Sequence, residues 1–333
     1  MEVAPARSSL LYHNAKSGIV VLDIPASLEE SQVLLGKRPE RRIYSAPAPE
    51  EPFETPEPKH GLAHMSNADT KSPAAQIATL MTVETLRSAV HHVKNHCSGP
   101  LCLPRITPPE ESLASEGEAL IPQDSHYVHG SIQDQKQIFS NTAPKFNLIL
   151  LDPPWPNRSA RRKSKGYKTA PTLSGTRPIL QNIPIPSHLA PDGLVAVWIT
   201  NKPSIAELLT AKGGLFEEWG LQLAAEWTWL KITRAGEPIF DLDSSWRKPW
   251  EKLLIARRAA TSQPHISDMT ILAAPDVHSR KPSLKGLFQP ILGSEYTGLE
   301  IFARSLTAGW WSWGDQVLKF QGAEHWVPVQ SGS

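Results

Sequence analysis

Cysteine is scarce: Cys97 and Cys102 are the only two in 333 residues. That excludes a disulfide scaffold and fits a reducing compartment. Long apolar runs are also missing, and nothing approaches the roughly 20 residues that a membrane-spanning helix needs. The opening residues, MEVAPARSSL, hold no hydrophobic signal core. Together these lead to the expectation of a soluble intracellular protein. Neither sign of charge is in excess, with 34 Lys+Arg against 33 Asp+Glu, so net charge alone announces no polyanionic partner. No GxGxxG follows an early strand, which leaves a dinucleotide dehydrogenase unsupported. Internal repeats are absent.

What is present begins with proline. Residues 45–61 read SAPAPEEPFETPEPKHG, with five prolines and four glutamates between Pro47 and Pro58. Such a composition cannot bury a core, so 45–70 reads as a Pro/Glu-rich linker. Before it, 1–44 forms an N-terminal segment with a hairpin strand at Ile19-Val20-Val21-Leu22. After it, Ser72-Pro73 looks like a helix start, and Ile77, Leu80, Val83, Leu86, Val90 and Val93 recur at helical spacing. Residues 71–120 are therefore expected to form a helical accessory region. His91, His92, His96, Cys97 and Cys102 cluster there, but one Cys-x4-Cys without a second pair is poor zinc spacing, and no metal is expected.

The stretch that organises the chain is NLILLDPPW, Asn147 to Trp155. Leu148-Ile149-Leu150-Leu151 suits a strand buried on both faces of a parallel sheet. Pro153 and Pro154 lack N–H groups and stop the ladder. Asp152 and Trp155 thus stand at the carboxyl end of a central strand, where open α/β sheets bind ligands. The chemistry suits methyl transfer to an exocyclic amine. The adenine N6 lone pair is delocalised into the ring. A carboxylate at Asp152 and a carbonyl at Pro153 or Pro154 would each accept one N–H and hold the nitrogen more pyramidal. Trp155 would offer a stacking face for an unstacked base.

Further strands are expected at 146–151, 194–199, 222–232, 252–257, 270–274, 298–303 and 315–320, and helices near 176–183, 203–212 and 283–292. The alternation predicts an α/β fold with a mostly parallel sheet. Immediately after the motif, Arg158, Arg161, Arg162, Lys163, Lys165 and Lys168 form a basic run without an acid. Beside a cleft, such a run would neutralise phosphates and guide a strand of nucleic acid.

The segments LILLDPPWPNRS (148–159), QNIPIPSHLAP (181–191), VWITNK (197–202), AEWTWLKIT (225–233), KPWEKLLIAR (248–257), SRKP (279–282) and LEIFARSLTAGWWSWGDQVLKFQ (299–321) resemble, in order, the MT-A70 family of S-adenosylmethionine-dependent adenine-N6 methyltransferases, in particular its methyltransferase-like protein 4 branch. The resemblance implies a Rossmann-like fold of permuted motif order over 121–322, with an N-terminal extension and a short tail at 323–333. It implies S-adenosyl-L-methionine as cofactor and RNA as substrate, specifically a small nuclear RNA adenosine or 2′-O-methyladenosine. DNA adenine is the alternative, and a catalytically silent RNA-binding member of the family is a further one. A nuclear location and a monomer are also expected.

Residue by residue, the resemblance makes Tyr167 an active-site tyrosine and Lys281 the anchor of the cofactor carboxylate. Arg280 replaces the histidine that usually precedes that lysine. Arg304 falls on a ribose contact and Phe302 on an adenine contact. Glu300 shares their strand. There a charged residue needs a partner or a ligand, and Arg304 is the partner at hand. Asp315-Gln316 stands where the family has an amide pair for ribose and adenine. An acid at 315 accepts hydroxyls but donates nothing. Ser131-Ile132 occupies the place of an acidic-hydrophobic adenine-binding pair. Lys231 and Glu251 also fall on family positions near the site. Trp310, Trp311 and Trp313 read as packing.

Overall fold

The computed structural model describes residues 8–54, 73–109, 117–156, 172–244, 247–259 and 265–329. Strands β1 (Leu10–Asn14) and β2 (Ile19–Leu22) form an antiparallel hairpin. Helix α1 (Ile24–Ser31) follows at once and β3 (Arg41–Ile43) a few residues later. Asp23 caps α1 by accepting from Ala26 N at 3.0 Å, with Pro25 in the first turn. Helix α2 (Pro73–His96) is one continuous helix that buries Val83, Leu86, Ala89 and Val93. These pack on Ile19, Val21, Leu230, Ile232, Trp250 and Leu272.

The rest of the chain supplies β4 (His126–His129), α3 (Ile132–Thr142), β5 (Phe146–Leu151), α4 (Leu173–Gln181), α5 (Ile185–His188), β6 (Leu189–Ile199), α6 (Pro203–Thr210), α7 (Leu215–Glu218), β7 (Leu221–Lys231), β8 (Trp250–Arg258), β9 (Met269–Ala273), α8 (Lys285–Leu292), β10 (Gly298–Ile301), β11 (Trp311–Gly314) and β12 (Trp326–Pro328). Ten strands form one sheet in the order β1-β2-β9-β7-β8-β6-β5-β10-β11-β4. Within it β8 runs antiparallel to β6 and β7, and β1 to β2; all other neighbours pair in parallel. The carboxyl ends of β4, β11, β10, β5 and β6 therefore share one edge. β5 is flanked by β6, which follows it in the chain, and by β10, which comes late. That reversal is the switch point where such sheets bind ligands.

Alternation along β5 assigns the two faces. Leu148 and Leu150 join a core with Trp198, Trp227 and Phe288. Ile149 and Leu151 join the other core with Phe139, Trp155 and Trp313. Asp152 continues the first face. Its N–H still reaches Ile301 O at 3.2 Å, and the two prolines then end the ladder.

Three expectations meet a different arrangement. First, no strand covers 315–320; the strand is β11 at 311–314 and turns follow. The apolar signal came from Val317, buried beside Ala303 and Leu306, and Phe320, buried against the cleft. Second, the hairpin read outside the 121–322 domain extends its sheet, β2 pairing with β9. Likewise β12, in the stretch read as a tail, pairs with β3. Third, the described part of the linker, 45–54, is held down. Ala46 N donates to Asp276 Oδ1 at 2.8 Å, Arg234 N to Pro49 O at 2.8 Å, and Phe53 packs on Phe240 at 5.6 Å. Its backbone groups find partners on the domain, so proline content did not entail a free spacer.

Candidate active site

Beyond β5, Asp152 enters a chain of alternating charge. Lys281 Nζ lies 3.1 Å from Asp152 Oδ1 and 3.0 Å from Glu251 Oε2. Lys231 Nζ lies 2.5 Å from Glu251 Oε1, and Arg304 Nη1 lies 3.7 Å from Asp152 Oδ2. All are partly buried. Burial alone would lower the Lys281 pKa, but Asp152 and Glu251 outweigh it and raise it above the usual lysine range. Burial would likewise raise Glu251, yet Lys281 and Lys231 hold it at about 2. Glu300 sits on β10 in register with Leu150 and behaves oppositely. Burial first, and then the Asp152 charge, push it up to about 7 against the pull of Arg304 and Lys281.

The loop after β9 presents Lys281. Arg280, in the place of the usual histidine, turns inward. It pairs with Asp276 at 2.8 Å, donates to Tyr44 O at 2.8 Å and lies 4.4 Å over the Phe320 ring. That buried ion pair anchors the loop. Ser279 holds a positive φ of 70° and its carbonyl accepts from Arg304 Nη1 at 2.8 Å. Strained backbone of this kind persists only where surrounding contacts enforce it.

Asp152, Lys281, Glu300, Phe302 and Arg304 line one cavity with Trp198, Phe320 and, from α1, Leu28. Those first five, named separately in the sequence, are brought together by the fold. Trp198 lay within a noted motif without being singled out. Leu28 carried no signal, because only the hairpin places α1 at the cleft. Phe302 itself has φ 62°, and Gly314 passes so close that a Cβ there would meet Phe302 Cα at 3.2 Å.

The remaining expected residues stand elsewhere. Trp155 is 7% exposed, on the opposite face of β5, and its Nε1 donates to Trp198 O at 2.7 Å. The indole braces the motif and shows little face to a base. The Pro153 carbonyl already accepts from Trp155 N at 2.8 Å. Lys202 Nζ holds Pro156 O at 2.8 Å. Asp315 and Gln316 follow β11, and His129 Nε2 reaches Asp315 O at 3.1 Å. Ser131 caps α3, accepting from Asp134 N at 3.1 Å and donating to Asp134 Oδ2 at 2.7 Å, while Ile132 is buried. Ser131 thus serves a helix end with the hydroxyl that a ligand would need. Arg158, Arg161, Arg162, Lys163, Lys165, Tyr167 and Lys168 lie outside the described residues. Among the described residues no cluster of His, Cys, Asp or Glu could hold a metal ion. No helix there is long and apolar enough to cross a membrane.

A mostly parallel sheet with Asp-Pro-Pro-Trp at its switch point defines a Rossmann-like methyltransferase. Comparison with known proteins places it further. A family model described as MT-A70 matches residues 146–316. A protein of Cryphonectria parasitica named N6-methyladenosine RNA methyltransferase MTA1 is 47% identical over 96% of this chain and 94% of its own length. One of the same name from Pyricularia oryzae is 42% identical over 98% of both chains. The human N(6)-adenine-specific methyltransferase METTL4 is 35% identical over 64% of this chain and 46% of its own length. The chain belongs to the MT-A70 family of adenine-N6 methyltransferases.

Such enzymes generally use S-adenosylmethionine, and the residues present fit it. Gln316 Oε1 is buried without a hydrogen-bond partner, an acceptor awaiting a donor. The exposed Asp315 can accept from a diol. Lys281 has spent two of its three N–H groups on carboxylates and keeps one.

Proposed function

We propose that this protein transfers a methyl group from S-adenosyl-L-methionine to N6 of adenosine in RNA. The observation that carries the reading is the Asp152 carboxylate, fixed at the switch point by Lys281 and Arg304 inside a lined cavity. The full-length relatives named as RNA methyltransferases favour RNA. A small nuclear RNA adenosine or 2′-O-methyladenosine is the finer expectation, and a nuclear monomer the cellular one. DNA is the second reading, favoured by a Caenorhabditis elegans protein named DNA N6-methyl methyltransferase, 34% identical over 62% of this chain.

Asp152 accepts one N–H of the target amine. Its two oxygens offer about four acceptor sites, so Lys281 and Arg304 leave room. The Pro154 carbonyl, next to the occupied Pro153 carbonyl, accepts the other N–H. Both acceptors strengthen as positive charge develops on nitrogen, and both are already in place, so no reorganisation is needed. No strong base is required, because the amine loses its proton after attack. Lys281, Phe302, Arg304, Asp315 and Gln316 would hold the cofactor, which supplies an electrophilic methyl when bound. The basic run 158–168 would follow the strand's phosphates.

The test is mass spectrometry of nucleosides from RNA and DNA oligonucleotides incubated with protein and labelled donor. N6-methyladenosine from RNA is expected. Label only in deoxyadenosine would establish the DNA reading, and no label in either would overturn both.

A further inference from the structure

The mouth of the cleft carries charge that the reaction has not used. Lys231 and Lys281 are matched by Glu251 and Asp152, and Arg280 by Asp276. Lys319 is exposed, with its Nζ 5.5 Å from the Phe320 ring that forms the cleft wall. Among the described residues the charges acting on it are cations: after desolvation, Arg304 and Arg280 push its pKa down. His278 is exposed one residue before the strained Ser279. Its Nδ1 lies 2.7 Å from Ser279 Oγ. With that hydroxyl donating, Nδ1 accepts and Nε2 carries the proton outward. Desolvation, then Lys231, Arg304, Lys281 and Lys319, push the imidazole pKa down, so near neutral pH it is an uncharged N–H donor. Neither residue makes a salt bridge to a described carboxylate.

We infer that His278 and Lys319 form a seat for an oxyanion at the cleft mouth, and that its occupant is a backbone phosphate of the nucleic acid whose base enters the cleft. This rests on the nucleic-acid reading of the site. Lys319, paired with no described carboxylate, adjoins the cavity-lining Phe320, and His278 adjoins the cavity-lining Ser279 on the loop pinned by the Arg280–Asp276 pair; a cation and an N–H donor so placed suit a phosphate oxygen. The donor's own carboxylate shares the same chemistry, and the experiment must separate the two.

The test uses the full chain with Lys319→Ala, Lys319→Arg, His278→Ala and His278→Gln. Both positions are exposed, and equal melting temperatures across the four variants confirm folding. Affinity for a short adenosine-containing RNA is measured by fluorescence anisotropy at several salt concentrations, and donor affinity by calorimetry. Lys319→Ala should lower the slope of log affinity against log salt by roughly 0.7, the value for one lost single-strand contact. Lys319→Arg should restore it. His278→Ala should weaken binding without changing the slope, and His278→Gln, which keeps an N–H, should recover it. Unchanged RNA affinity would overturn the seat. So would a loss confined to donor affinity, which would give the seat to the donor carboxylate. Binding is read without turnover, so a wild type that binds RNA but fails to methylate adenosine would sink the enzymatic reading and leave the seat to its own result.

Discussion

At the scale of the residue, the site is a row of charges that hold one another. Asp152 is the member that, in the proposed reaction, meets the target amine. Asp152→Asn should slow methyl transfer by about 30- to 1,000-fold, from about 2–4 kcal/mol of lost transition-state stabilisation. Single-turnover rates at saturating donor and RNA check this, and a wild-type rate would remove Asp152 from the chemistry. Glu300 carries a pH signature. Its folded pKa, about 7, exceeds the ordinary carboxylate value of 4.5. The folded state therefore binds the proton more tightly than the unfolded state. Stability falls as pH rises from 4.5 to 7, and the cost of ionising Glu300 is complete above that. Glu300→Gln removes the cost, which is at most about 3 kcal/mol. The variant should gain melting temperature over wild type at pH 8 and little at pH 5. An equal difference at both pH values would show that Glu300 ionises as freely folded as unfolded.

At the scale of the element, legibility followed the strength of the local pattern. β5 was readable because four apolar residues end in two prolines, a ladder that cannot continue. Asp152, Lys281, Glu300, Phe302 and Arg304 could be named because they sit in motifs, although their mutual contacts could not. Nothing local says that Lys281 bridges Asp152 to Glu251, which comes from another strand. Nor does it say that Trp155 points to the face opposite Asp152; a residue four places past the end of β5 has lost the period-two rule. The 315–320 segment misled because Val317 and Phe320 are buried in turns, and burial in a turn has the same composition as burial in a strand. Helix α1 was missed because it is eight residues long and holds a proline. Yet its start was written in Asp23, whose carboxylate accepts from Ala26 N at 3.0 Å and from Leu103 N at 2.9 Å. Asp23→Ala leaves the buried Ala26 N–H and the half-buried Leu103 N–H unpaired and should cost about 2–4 kcal/mol. Denaturant unfolding measures it, and a loss below 1 kcal/mol would show that water replaces the cap.

At the scale of the whole molecule, residues 8–54 share strands and cores with the domain after residue 120. The N-terminal segment contributes Ile19, Val20, Val21, Leu22, Ile24, Leu28 and Ile43 to the cores, all buried. At about 1.5–3 kcal/mol per buried side chain, these contribute roughly 10–20 kcal/mol gross, which matches or exceeds a typical net stability of about 5–15 kcal/mol. Part of that gain is cancelled by the ordering entropy of the same segment. The remaining surface suffers regardless: without β2, strand β9 becomes an open edge, which invites pairing with other chains. The cleft suffers too, since Leu28 lines it and Tyr44 O holds the Arg280 guanidinium beside Lys281. A chain of residues 121–333 should therefore be recovered aggregated, or melt well below the full chain and bind donor at least tenfold more weakly. Adding residues 8–54 in trans as a separate chain should restore soluble donor binding only in part, because joining the pieces then pays an association entropy that the intact chain avoids. Size-exclusion chromatography with calorimetric donor titration decides the matter. A monodisperse 121–333 chain with full donor affinity would show that the catalytic domain stands alone and that the N-terminal strands merely decorate it.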